Sequence, residues 1–222
     1  MTRQWTQSAI FSRAFCAIFV RVFGIFGAIF AVFLSGCALP ERGAAPVLYD
    51  FGERATVVAT PSTSVTSSAR PALAITVHAA ASLDSTALLY RLAYDDARQL
   101  RTYALARWAV PPADLVQQRL RETLSRQRTV LKPGQGATQV LALELEEFSQ
   151  VFDKPGQSAG VLRLRATLQQ ASASGFKTLA QRSVSVQRPA PTAGASGGVR
   201  ALEAATDAAV AELAQWLLAM AN

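Results

Sequence analysis

The side chains able to do chemistry are few, and their spacing narrows them further. Cys37 follows Leu34-Ser35-Gly36 at the end of an apolar run. Small neighbours there leave the backbone open to a peptidase, and a thiolate is the nucleophile that a group transfer needs. Gly194-Ala195-Ser196-Gly197-Gly198 has the spacing of a nucleophile elbow. An elbow serine, however, stands directly after a strand and its histidine follows it in the chain. Here Pro189 and Pro191 precede the pattern, and the one histidine, His78, lies upstream. The stretch reads instead as a linker in which Ser196 caps the next helix. His78 with Asp84 would make a base and its carboxylate, but a lone histidine opposite the apolar face of Leu73, Ile75 and Val77 is expected at the surface. Gly134-Gln135-Gly136 opens a dinucleotide fingerprint, yet Gln139 stands where the last glycine belongs and a strand follows instead of a helix. Glu144, Glu146 and Glu147 are close in sequence, but on a regular strand the first two face one way and the third the other. Eight arginines between Arg91 and Arg128, Arg107 and Arg119 among them, offer either a phosphate-binding patch or a solubilising surface. One His and two Cys leave no zinc site of His and Cys ligands and no disulfide framework.

Cys37 gains its meaning from what precedes it. Residues 1–13 carry Arg3 and Arg13 and no acid, and apolar sequence runs on from Ala14, broken by Arg21 before thirteen uncharged residues from Val22 to Leu34. That run falls short of the ~20 residues of a transmembrane helix and ends in small residues, which is the profile of a signal peptide. Leu34-Ser35-Gly36-Cys37 resembles a bacterial lipobox, in which the thiol takes a diacylglycerol, the peptide is cut ahead of it and an N-acyl chain is added. Ala38 after the cysteine, in place of Asp, resembles cargo sent on to the outer membrane. Residues 1–36 are then a signal peptide, 37–46 a lipidated tether and 47–220 the folded domain. Cys16 leaves with the signal, so the mature chain keeps no free thiol. The formal charge of +7 shrinks as well, because Arg3, Arg13 and Arg21 leave with that segment. Such a surface gives little reason to invoke nucleic acid.

The elements that must position anything beyond the tether follow from periodicity. Val47 to Phe51 reads as a short strand, residues 59–71 as a Ser/Thr/Pro-rich linker, and Leu73-Ile75-Val77 as a half-buried strand. Leu88–Ala93 and Arg101–Ala109 read as a strand pair joined through Asp95-Asp96. Pro111-Pro112 open a helix with its stripe at Leu115, Val116, Leu120 and Leu124. The leucines at 141, 143 and 145, those at 162, 164 and 168, and the segment Leu179–Val186 make three successive strands, the first two joined at Lys154-Pro155-Gly156. A last helix carries Leu202, Ala209, Val210, Leu213, Trp216, Leu217 and Met220 at helical spacing. The expected class is α+β: one domain, a largely antiparallel sheet with two main helices packed on it.

The ordered pattern of these pieces resembles the ABC-type transport auxiliary lipoproteins, the paraquat-inducible protein C-like group. The pieces are Tyr49-Asp50-Phe51, ASLDSTALLYRLAYDD, QLRTYALARWAVPP and VLALELEEFSQVFDKPGQSAGVLRLRATL, with Tyr90-Arg91 on one strand, Tyr103 and Trp108 on the next, and Phe148 and Phe152 before a Pro-Gly turn. The resemblance implies a non-enzymatic accessory, without cofactors beyond the acyl chains on Cys37, in a system that moves lipids between membranes. Its implied partners are an ABC permease, an ATPase and an MCE-domain periplasmic protein. Tyr90, Arg91, Tyr103 and Trp108 are the expected partner-binding residues. An assembly or pilot lipoprotein of an outer-membrane machine and a lipid carrier with its own cavity are the competing readings, and unpaired strand edges would permit self-association.

Overall fold

The alternation that begins at Leu141 becomes the spine of a sheet in the computed structural model, which describes residues 44–52 and 70–220. The lipobox Leu34 to Cys37 and most of the Ser/Thr/Pro-rich linker lie outside the described residues. In chain order the elements are β1 (Val47–Tyr49), β2 (Leu73–Ala79), a 3-10 turn (Ala81–Leu83), β3 (Ala87–Leu92), the single-turn α1 (Ala93–Asp96), β4 (Arg101–Trp108) and α2 (Pro112–Leu124). They continue with β5 (Val130–Leu131), β6 (Gln139–Lys154), β7 (Gln157–Ser172), β8 (Gly175–Pro189) and α3 (Ala195–Ala219).

The strands form one sheet, and it is mixed where a largely antiparallel one was expected. β6, β7 and β8 are the antiparallel meander that their turns announce. The other edge of β6 is shared by two strands, both parallel to it: Leu73–Ala79 runs beside Gln139–Leu145, and Tyr90–Leu92 beside Gln150–Phe152. β4 then pairs antiparallel with β3, and β1 parallel with β4. A parallel pair requires a long return path and has no local turn to betray it, which is why the periodicity alone suggested the wrong balance.

A bulge marks the place where β6 changes partners. Its register with β7 slips between Leu145 and Glu147, leaving Glu146 unpaired. Before the bulge Leu141, Leu143 and Leu145 point into the core; after it Phe148 and Phe152 do, so the inward parity switches from odd to even. This overturns the expectation for the carboxylates. Glu147 joins Glu144 and Glu146 on the outer face, where Glu146 pairs with Arg165 at 2.9 Å and Glu147 with Arg163 at 3.1 Å and Arg91 at 3.4 Å.

The helices cover the inner face, α2 against β2 and α3 against β7 and β8. Pro112 sits in the first turn of α2 with Asp114 at its positive end. α3 is capped by the extended backbone of Gly194, with no side-chain cap, so Ser196 lies inside the helix and does not cap it. The outer edge of β2 pairs with the short β5 at Leu73 and Ala74 and is covered beyond it by α2, whose Gln117 Oε1 accepts the Val77 N–H at 3.2 Å. A helix that satisfies an edge amide removes an aggregation-prone template.

Candidate functional site

The residues singled out from the sequence are brought together only in part, and mostly inside the body. Trp108 is 1% exposed, packed in the core edge-on to Phe51 (5.8 Å between centroids) and against Phe148 (5.5 Å). A partner cannot reach it, so Trp108 is a core residue and not a contact. Phe51 arrives on the turn after β1 and seals the tryptophan from that side, which a reading of β4 alone does not foresee. Tyr90 and Tyr103 are half-buried and stacked at 4.6 Å, with Phe152 edge-on to Tyr90 at 6.1 Å. The Tyr103 hydroxyl donates to Gln150 Oε1 at 2.9 Å. Burial, with the neighbouring Tyr90, pushes the Tyr103 phenol up to about 12. Arg91 lies on the outer face, occupied by Glu147.

Gln150 is the buried polar residue that the sequence did not single out. Fully enclosed, it accepts from Tyr103 and donates through Nε2 to Ser158 Oγ at 2.7 Å. α3 lies directly on it: a Cβ at Gly198 would stand 2.1 Å from its Oε1, and one at Gly160 of β7 would stand 2.6 Å from the backbone of Ala201. Gly198, the last glycine of the pattern that imitates a nucleophile elbow, therefore lets a helix approach a sheet. His78 and Asp84 are both exposed and no hydrogen bond joins them. Among the described residues no group of His, Cys, Asp and Glu could hold a metal ion.

Arg119 was expected among the solvent-facing arginines and is 2% exposed. Its guanidinium lies 5.3 Å from the Phe51 ring centroid, donates to the Phe51 carbonyl at 3.3 Å, and pairs with Glu203 at 3.2 Å and Asp207 at 3.4 Å. The signal was present: Arg119 continues the apolar stripe of Leu115, Val116 and Leu120, and Glu203 and Asp207 are one turn apart on the last helix. Arg119 joins α2, α3 and the turn after β1, beside a cavity of about 140 Å³ that Asp50, Gln118 and Glu122 also line. Arg119 thus serves an internal contact and belongs to no solvent-facing patch.

Apart from the two-residue β5, which among the described residues pairs only with β2, what remains open is β1 and β8. Among the described residues β8 pairs only with β7, and β1 only with β4. The Ala190 N–H bonds the Ser158 carbonyl, so in an antiparallel ladder Arg188, Val186, Val184 and Arg182 also turn their backbone groups toward β7. Gln181, Ser183, Ser185 and Gln187 then present theirs outward, four successive donor-acceptor pairs with small or neutral side chains. Pro189, a usual guard of an edge, comes only at the end of the strand.

A family model described as the ABC-type transport auxiliary lipoprotein component matches residues 56–214. The chain belongs to that family. The auxiliary lipoproteins are components of ABC-type transport, which associates this chain with the cell envelope. Two solved structures share its fold. One, a Xanthomonas campestris protein of the DUF330 family, is 21% identical with a TM-score of 0.61, over 78% of this chain and 93% of that one. The other, an uncharacterized protein, is 14% identical with a TM-score of 0.59, over 78% of this chain and 99% of its own. No curated protein sequence matches this auxiliary lipoprotein.

Proposed function

We propose that this auxiliary lipoprotein is a non-catalytic adaptor, held to the periplasmic face of the outer membrane by acyl chains on Cys37, that docks the MCE-domain protein of a lipid-transporting ABC system. The observation that carries the docking role is the edge of β8. Four outward backbone pairs at Gln181, Ser183, Ser185 and Gln187 offer main-chain hydrogen bonds to an extended segment, the mode in which a sheet recruits a partner strand. Lys177 and Arg188 flank this stretch and β8 carries no acid, which favours an acidic or neutral strand. Anchoring supplies the rest, since confinement beside a membrane raises the effective concentration of a weakly binding module without new contacts.

The test is affinity purification from gently solubilised, cross-linked native envelopes, with partners identified by mass spectrometry. The comparison set is the unmodified chain, Cys37→Ser and Ser185→Pro. Ser185→Pro removes an outward N–H and no internal bond, so it should release the partner while the circular dichroism spectrum stays unchanged. Recovery of an MCE-domain protein with a permease and an ATPase, lost in both variants, is the expected result. Recovery of outer-membrane channel or secretion components alone would establish the assembly reading in its place. Undiminished recovery with Ser185→Pro would remove β8 as the docking edge.

A further inference from the structure

At the opposite end of the sheet, exposed apolar side chains gather where they have no packing role. Val47 is 54% exposed, Leu48 64%, Leu105 55% and Val110 40%, on two paired strands and the residues just past them. They are half of the large hydrophobics that the described surface exposes. Leu48 stands in register with Arg107, and Leu105, two residues before Arg107, has the same parity on β4. The Arg107 side chain is exposed and makes no hydrogen bond or ion pair among the described residues. Val47, in register with Ala106, has the opposite parity, so it is Leu48 and Leu105 that flank the exposed Arg107 guanidinium, a set suited to a surface that is oily below and phosphate-bearing above.

The position of the patch selects its occupant. Val47 follows Cys37 by ten residues, so a fully extended tether reaches at most ~35 Å, and any shorter path brings β1 closer to the acyl chains. The strand order β1-β4-β3-β6 continues through β7 to β8, which sets the two open edges five strand spacings apart, about 24 Å along the sheet. We propose that the β1/β4 edge rests in the headgroup layer of the membrane that holds the anchor, with Leu48 and Leu105 inserted and Arg107 on a lipid phosphate. This rests on the lipidation of Cys37 proposed above. The apolar patch then orients the body, turning β8 away from the lipid toward the periplasm.

The lipidated chain has no free thiol of its own, so single cysteines can carry an environment-sensitive fluorophore. Leu48→Cys, Leu105→Cys and, on β8, Phe176→Cys would be labelled in the lipidated protein. Each is then reconstituted into phosphatidylethanolamine and phosphatidylglycerol vesicles containing a lipid with a headgroup nitroxide. Phe176 is as exposed and apolar as Leu48, at 63%, but belongs to the far edge. Quenching several-fold stronger at positions 48 and 105 than at 176 is the expected result, and Arg107→Glu should reduce it. Equal quenching at all three, or the strongest at 176, would overturn the orientation while leaving the anchor intact. Failure of the unmodified protein to float with vesicles, together with a Cys37 that reacts with the label, would refute the anchor and this inference with it.

Discussion

Replacing Gly198 by alanine tests the seat of α3 on the sheet. In an ordinary helix interior Gly→Ala is stabilising by about 1 kcal/mol. Here the new methyl would stand 2.1 Å from Gln150 Oε1 and 2.6 Å from its Cδ, so the amide must leave its place. Displacement breaks the bonds from Tyr103 and to Ser158, each about 0.5–1.5 kcal/mol net, and an amide left buried without partners costs about 1–3 kcal/mol more. Subtracting the helix gain leaves a net loss of about 1–5 kcal/mol, or ~2–20 °C in Tm for a domain of this size. In a Gln150→Ala background the sign should reverse. Of the three atoms nearest the new methyl only the Cβ of residue 150, at 3.3 Å, then remains, so a shift of a few tenths of an ångström admits the methyl and the helix gain reappears. Urea denaturation of the four chains of this cycle, begun at residue 37 with Cys37→Ser, reads the coupling directly. Stabilisation by Gly198→Ala in the parent, or the same effect in both backgrounds, would refute the claim that this glycine exists to admit Gln150.

Arg119→Met should cost about 2–4 kcal/mol. This is near the lower end for breaking a buried pair, because Glu203 and Asp207 keep about a third of their side-chain surface; the urea midpoint should fall with its slope unchanged. The tyrosinate absorbance of the folded chain should show one late step, since the Tyr103 phenol is pushed up to about 12. A raised pKa means the fold favours the protonated phenol. That contribution is present below the ordinary value near 10 and is lost as pH rises through about 12, and Tyr103→Phe should remove both the late step and this part of the alkaline loss of stability.

What the sequence could disclose depended on how local the determining contact is. The meander of β6, β7 and β8 was legible because Lys154-Pro155-Gly156 and Ser174-Gly175 announce tight turns between alternating leucines. The parallel neighbours of β6 were not, because Leu73 meets Gln139 only after the intervening strands and helix have been placed. The extra residue at Glu146 has no signature in side-chain type, yet it decides which way Glu147 faces. Trp108 was misread for a similar reason: its burial depends on Phe51, which belongs to another strand's turn. The pattern of Leu115, Val116, Arg119 and Leu120 did contain its answer, since a charge on an apolar stripe asks for acids on whatever packs against it. The lipobox expected at Leu34 to Cys37 is of another kind, a signal that would be written for enzymes and not for folding.

An adaptor anchored as proposed would be pulled upon, and the topology fixes where that load would travel. Tension entering at Val47 passes from β1 into β4 over three residue pairs, from β4 into β3, and from β3 into β6 over three more, Tyr90 with Gln150, Arg91 with Val151 and Leu92 with Phe152. Beyond that joint the long β6–β7 and β7–β8 ladders spread it widely. β2, packed against the same edge of β6, is bypassed. The β3–β6 seam is as short as the β1–β4 one, and it is riveted from both sides: Tyr90 against Phe152 and Tyr103 bound to Gln150 within, Arg91 clasped to Glu147 without. Tyr90, Arg91 and Tyr103, expected to hold a partner, hold the body together at the point where a tug between membrane and partner would otherwise tear it.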